Sequence, residues 1–248
     1  MAKERGEPTT SSSLRSASRY VRRSAPAICA RNEGIGKPIA RRAAESSALC
    51  EWAALNEKRL PFNFVEQFKP VTAGAEHRVY YDEKNGLAIK ATHPNTFGHS
   101  AYGPGARATP SEYLRRLRLC NDIFGDNFEI VGIAFDEDGQ VEVVSSQRWI
   151  ESNPIRAVPF AEEIDAYFYR FGFFRSRANP DAPLFYHMIF DLLVADAHDT
   201  NILRDAKENF AAIDVVVGTP GPALRKELRE GYLFAERDRL TSEGQAKA

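Results

Sequence analysis

Thr109-Pro110-Ser111-Glu112 is the segment that most constrains how this 248-residue chain can fold. A threonine suited to capping, a proline at the first helical position and a glutamate three residues past the threonine mark the start of a helix. Tyr113, Leu114, Leu117, Cys120 and Phe124 then follow at helical spacing. β-type pairs flank this helix on both sides. Val71–Tyr81 and Leu87–Thr92 precede it, separated by a turn carrying Asn85-Gly86; Glu129–Phe135 and Gln140–Ser145 follow, split by Asp136-Glu137-Asp138-Gly139. Residues 93–108, with three glycines and two prolines, read as a loop. The order β-β-α-β-β predicts an α+β domain of antiparallel strands with one helix.

The rest of the chain is less regular. Residues 1–42 hold ten Lys/Arg against three Glu, a net +7, among Ser, Thr, Ala and Pro. That composition predicts a disordered basic tail with little to bury. Residues 43–63 form a separate helical segment: Ala48, Leu49, Trp52 and Leu55 make a stripe over Ala43–Leu60, and Pro61 ends it. Beyond Ser145, Glu162–Phe171 reads as a helix closed by Gly172. Leu184–Ala195 is apolar enough for a buried helix or a strand, and periodicity does not decide between them. Ile202-Leu203 and Phe210–Val217 predict a short hairpin, and Leu224–Leu240 an amphipathic helix. Three widely spaced cysteines and no apolar run of membrane-spanning length lead to the expectation of a cytoplasmic protein without a membrane partner.

Chemistry concentrates in Asp196-Ala197-His198-Asp199-Thr200-Asn201, followed after a β-type run by Ile213-Asp214. Phosphoryl transfer needs a carboxylate to orient and deprotonate the attacking hydroxyl, a role open to Asp196. It also needs oxygen ligands for Mg²⁺, which Asn201, five residues on, and Asp214, past the hairpin, can supply. The same residue types are common in surface turns, so the spacing carries the signal. Upstream, Lys90 lies on the second strand of a hairpin, where a fixed ammonium can meet the phosphates of a nucleotide. Glu112 is its expected ion-pair partner, and the same residue has a second use as the N3 carboxylate of the capping box. Gly74 sits where backbone amides could cradle phosphates, without a three-glycine pattern around it.

Taken together, Lys90 on a hairpin, Glu112 on the next helix, two strands, and Asp196, Asn201 and Asp214 resemble the protein kinase-like superfamily. His198 makes the loop similar to that of aminoglycoside phosphotransferases, where it joins the catalytic candidates. Ala108 to Leu117, Phe124-Gly125-Asp126, Asp196-Ala197-His198 and Ile213-Asp214-Val215 resemble the kinase domain of polyvalent proteins, found in phages and other mobile elements. The resemblance implies a bilobal protein-kinase-like fold over residues 64–236. It has a small antiparallel β lobe with one helix at 64–146, a compact second lobe at 147–236 and a flexible C-terminus at 237–248. It also implies ATP and Mg²⁺ as cofactors and a hydroxyl-bearing acceptor. Adenine would lie near Ser146 to Ile150, with Gln147 as the candidate contact. Val194 and Ala195 before Asp196, and Val215-Val216 after Asp214, depart from the usual kinase pattern. Two rivals follow: a nucleotide-binding pseudokinase acting as an interaction module, and a nucleic-acid-binding protein working through the basic tail.

Overall fold

The computed structural model describes residues 12–31, 37–176 and 183–231. The chain divides into two compact units, with the boundary at Trp149/Ile150 and with Ala101–Ala106 joining the second unit. Both mix helices with antiparallel strands, the α+β composition of a bilobal kinase-like fold. The boundary falls three residues beyond the expected one, because the strand there runs on to Arg148.

The first unit contradicts the expected disordered tail. Ser12–Arg31 is a helix, α1, packed against α2, Lys37–Leu55. Leu14, Ala17, Val21 and Ala25 recur every three or four residues and are buried; Ala40, Ala44, Ala48, Leu49, Trp52 and Ala53 of α2 are buried too. The many small side chains let two helices approach closely while adding little to the apolar composition of the segment. The Trp52 indole N–H donates to Ser16 Oγ at 3.0 Å, so the largest buried ring of the pair has its polar atom satisfied. Residues 1–11 and 32–36 of the expected tail lie outside the described residues.

Five strands form one antiparallel sheet: β1 (Lys69–Ala73), β2 (His77–Asp82), β3 (Leu87–Thr92), β4 (Glu129–Phe135) and β5 (Val141–Arg148), in the order β1-β2-β3-β5-β4. The expected single run Val71–Tyr81 is thus two strands, turned at Gly74–Glu76. The β2–β3 turn is held by the Asp82 carboxylate, which accepts from Asn85 N at 3.2 Å and Asn85 Nδ2 at 2.7 Å. Along β4, the segment after α2 covers the open edge: Leu60 N donates to Ile133 O at 2.9 Å and Ile133 N to Lys58 O at 2.8 Å. One sheet face buries Val65, Ile89, Ala91, Ala134 and Val144 under the segment around the 3₁₀ turn Phe64–Gln67. Helix α3, Pro110–Phe124, starts with the expected capping box and ends at Gly125, whose left-handed φ of 76° closes the last turn.

In the second unit, α4 (Ala161–Tyr169) accompanies an antiparallel sheet ordered β11-β8-β7-β6, from β6 (Phe174–Arg175), β7 (Phe185–His187), β8 (Leu192–Ala195) and β11 (Val216–Gly218). Leu184–Ala195 therefore resolves into a β hairpin, its alternative as a helix excluded by the pairing of Phe185 with Val194. A separate ladder joins β9 (Ile202–Arg204) to β10 (Phe210–Ala212). The apolar run Phe210–Val217 is shared between two sheets, and it breaks at Ile213–Val215, around Asp214. Residues 222–231 are helical, and Leu228 packs with Ala101, Tyr186, Leu193 and Val216. The remainder of the helix expected to Leu240, and the C-terminus at 237–248, lie outside the described residues. Among the described residues no helix is long and apolar enough to cross a membrane.

Leu14→Ala should lower stability by about 2–5 kcal/mol, the cost of a cavity in a packed core. Urea unfolding of the full chain measures this; an unchanged midpoint would mean that α1 is solvated rather than packed.

Candidate active site

Within the first unit, the register places several polar groups on one face of the sheet. Lys90 on β3 pairs with Ser145 on β5, and Ser145 with Ile130 on β4, so these side chains share a face. Gln147, two residues beyond Ser145 and opposite Ala88, lies on that same face and is buried. His77 on β2 belongs to it too, and its Nε2 meets the Tyr113 hydroxyl of α3 at 3.1 Å. This is the face against which α3 rests.

Lys90 is buried, 6% exposed, and its Nζ stands 5.3 Å from the centre of the Phe128 ring. The expected Lys90–Glu112 ion pair is not formed. Glu112 Oε2 instead accepts from Thr109 N at 2.9 Å, so the capping role read from the sequence takes the carboxylate. Gly74 ends the β1–β2 turn, its N–H donating to His77 O at 2.8 Å and its carbonyl facing His93 Nε2 at 2.8 Å. A Cβ there would meet only His77 O at 3.8 Å, so packing does not demand a glycine.

Two further acidic residues of this unit, Glu76 and Asp126, were not expected as site residues and have carboxylate oxygens shielded from solvent. Buried Glu76 accepts from Arg116 Nη1 of α3 and from His99 N, both at 2.6 Å. Gly98 leaves room for it: a Cβ at that position, where φ is +73°, would lie within 2.6–2.7 Å of the Glu76 carboxylate. Asp126 follows the α3 C-cap, and its Oδ2 is shielded from solvent without a hydrogen-bond partner. Burial pushes the Asp126 carboxyl up to about 8, with the charge of Lys90 pulling the other way. A further carboxylate anchors the start of α3: Glu45 of α2 accepts from Ser111 N at 2.9 Å and Ser111 Oγ at 2.7 Å. Burial alone would raise the Glu45 pKa, yet hydrogen bonds from Arg41, Ser111 and Thr109 leave it below the usual value.

The second unit brings its expected site residues together. Asp196 follows β8 with a left-handed φ of 57°, a conformation that costs a non-glycine residue and turns the chain sharply. Asn201 Nδ2 donates to Asp196 O at 2.8 Å and to Asp196 Oδ2 at 3.1 Å, closing the loop on itself. His198 Nε2 lies 3.3 Å from Asp196 Oδ1. Ile213 N donates to Asn201 O at 2.9 Å, which places Asp214 beside Asn201 at the end of the β9–β10 ladder. With its amide nitrogen committed to Asp196, Asn201 keeps its Oδ1 as an acceptor.

A family model, described as a serine/threonine/tyrosine kinase found in polyvalent proteins, matches residues 42–219. The chain belongs to this polyvalent-protein kinase family. A search of curated proteins returned no match. The matched span starts inside α2 and ends just past β11, so it takes in α3, Lys90 and the whole Asp196–Asp214 segment, while α1 lies outside the kinase-family match.

Glu76→Gln should destabilise the protein by about 3–5 kcal/mol, because a buried ion pair broken from one side leaves the other charge without its partner. Urea unfolding at pH 7 measures it, and a loss below about 1 kcal/mol would show that the pair has no structural weight.

Proposed function

We propose that this chain is a phosphotransferase that uses Mg²⁺ and ATP to phosphorylate a hydroxyl acceptor. The observation that carries this reading is the Asp196–Asn201–Asp214 arrangement, held by one side-chain amide and one backbone hydrogen bond. Its donor set fits a hard cation: Asn201 Oδ1 and the Asp214 carboxylate offer oxygen only, and neither is replaced by a softer ligand. Asn201 and Asp214 would hold the metal, which when bound neutralises charge on the phosphates. Asp196 would orient the acceptor hydroxyl and take its proton, with His198 at 3.3 Å helping to fix the carboxylate. Lys90 is assigned to the nucleotide phosphates, and Gly74 and Gln147 to the nucleotide as well. The family description makes a protein serine, threonine or tyrosine hydroxyl the first acceptor to try.

One observation favours the pseudokinase reading: Glu112 is spent on the capping box and does not aim Lys90. The nucleic-acid reading loses its premise of a free tail over Ser12–Arg31, since α1 is folded against α2, and keeps the exposed arginines Arg15, Arg19, Arg22 and Arg23 of that helix.

Two near-isosteric substitutions separate these cases. Asp196→Asn should leave Mg²⁺–ATP affinity nearly unchanged and lower single-turnover transfer by roughly 10²–10⁴, the range for a positioned general base. Asp214→Asn should weaken binding and transfer together. Transfer by Asp196→Asn at the parent rate would refute the catalytic assignment; a parent protein that binds ATP but never transfers phosphate, to itself or to any acceptor, would make the pseudokinase the better reading.

A further inference from the structure

We infer that the outer face of α1 is a docking surface for an acidic helix of a partner protein. The surface lies outside the kinase-family match, and the inference does not rest on the phosphotransferase reading.

The side of α1 turned away from its buried stripe is polar along its length. Ser16, Tyr20 and Ser24 form one row at four-residue spacing, and Arg15, Arg19 and Arg23 form the row beside it. The first row faces α2: Ser16 Oγ accepts from the Trp52 indole at 3.0 Å, and the Tyr20 hydroxyl donates to Glu51 at 3.4 Å. Both rows line a groove of about 740 Å³ that is closed on the α2 side by Trp52 and Asn56. Its serines are small enough to let a further helix approach, with the arginines along one wall.

The arginines are placed against the interest of α1 alone. Arg15, Arg19, Arg22 and Arg23 are exposed, and among the described residues none of them has an acidic partner. Like charges four residues apart repel one another on a helix. The first turn carries Arg15 and no acidic residue, although the helix dipole disfavours a cation there. Carboxylates brought by a partner relieve both effects.

Charge complementarity selects the partner. Four helical residues rise about 6 Å, so the three arginines of the groove repeat at that interval, and so do carboxylates at four-residue spacing on a second helix. Each guanidinium offers a carboxylate two parallel N–H donors. The groove is not uniformly basic, because the exposed Glu51 carboxylate stands beside Tyr20. Leu55, next to Asn56 in the chain, is 70% exposed. A polyphosphate is repelled by Glu51 and has no use for Leu55, whereas a protein helix can set a cation against the first and an apolar side chain against the second. The Trp52 ring, 1% exposed with its N–H tied to Ser16, is closed to base stacking.

The test uses the full chain and two fluorescent helical peptides of identical Ala, Leu, Gln and Glu composition. One carries its glutamates at i, i+4 and i+8 on a single face; the other distributes them around the helix. Binding is read by anisotropy at low salt. The one-face peptide should bind about ten-fold or more tightly than the distributed one, and its affinity should fall as salt is raised. Arg19→Gln should weaken it by about two- to five-fold, the range for one exposed ion pair. The combined reversal Arg15→Glu, Arg19→Glu and Arg23→Glu, checked for folding by circular dichroism, should abolish the preference and bind instead a one-face peptide with lysines in place of the glutamates. Equal affinity of the parent for the two glutamate peptides overturns the proposal without recourse to any variant, as does no binding of either. A preference that survives the reversal in a folded protein overturns it too. A single-stranded oligonucleotide that binds the parent more tightly than the one-face peptide, and is lost on reversal, would give the surface to nucleic acid and end the acidic-helix assignment.

Discussion

Helix α3 is fastened to the sheet by one buried ion pair, Glu76 with Arg116, and the surroundings of Lys90 depend on where that helix lies. Both side chains are about nineteen-twentieths buried, so each charge would be costly without the other. Around this pair the helix is held at three further points along its length. Glu45 of α2 takes the first-turn Ser111, Tyr113 meets His77 of β2, and Asn121 clamps Phe128 at the entrance to β4. None of these contacts is apolar. The apolar face of α3 supplies the burial that stabilises it, and the polar contacts decide its register and angle.

This division explains what could be read from the chain and what could not. The β2–β3 and β4–β5 hairpins and the capped start and glycine end of α3 are local features, in which neighbouring residues carry the whole signal. Expectation and structure agree on them to within a few residues. By contrast, α1 is invisible to composition because its buried stripe relies on Ala17 and Ala25 as much as on Leu14 and Val21. Alanines count as packing residues only when another small-faced helix lies against them, and α2 is such a helix. The run Leu184–Ala195 could not be assigned because buried strands and buried helices are both continuously apolar; the turn at Met188–Asp191 shows itself only through pairing.

The same holds for the candidate site. Asp196, Asn201 and Asp214 were legible because the loop is compact: five residues separate the first two, and one short ladder returns the chain to the third. Glu112 carried two readings from the start, and the structure takes the local one, since a carboxylate at N3 reaches its own N-cap with little loss of side-chain freedom. Glu76 and Asp126 had no comparable local mark. Glu76 finds Arg116 forty residues away, and Asp126 stands out through a carboxyl oxygen shielded from solvent, neither of which adjacency in the sequence encodes. Phe124-Gly125-Asp126 stood out as part of the family pattern, without any indication of what the aspartate does.

The proposed phosphotransferase reading requires that this chain bind Mg²⁺–ATP, with Lys90 assigned to the phosphates. Thermal unfolding of the full chain with ATP, with and without Mg²⁺, tests it most directly. A ligand at a hundred times its dissociation constant stabilises by about 2.7 kcal/mol, a readily measured rise in melting temperature. That rise is expected with Mg²⁺–ATP, a smaller one when the metal is chelated, and little in Lys90→Ala. A folded protein whose melting temperature does not move at millimolar Mg²⁺–ATP would contradict it.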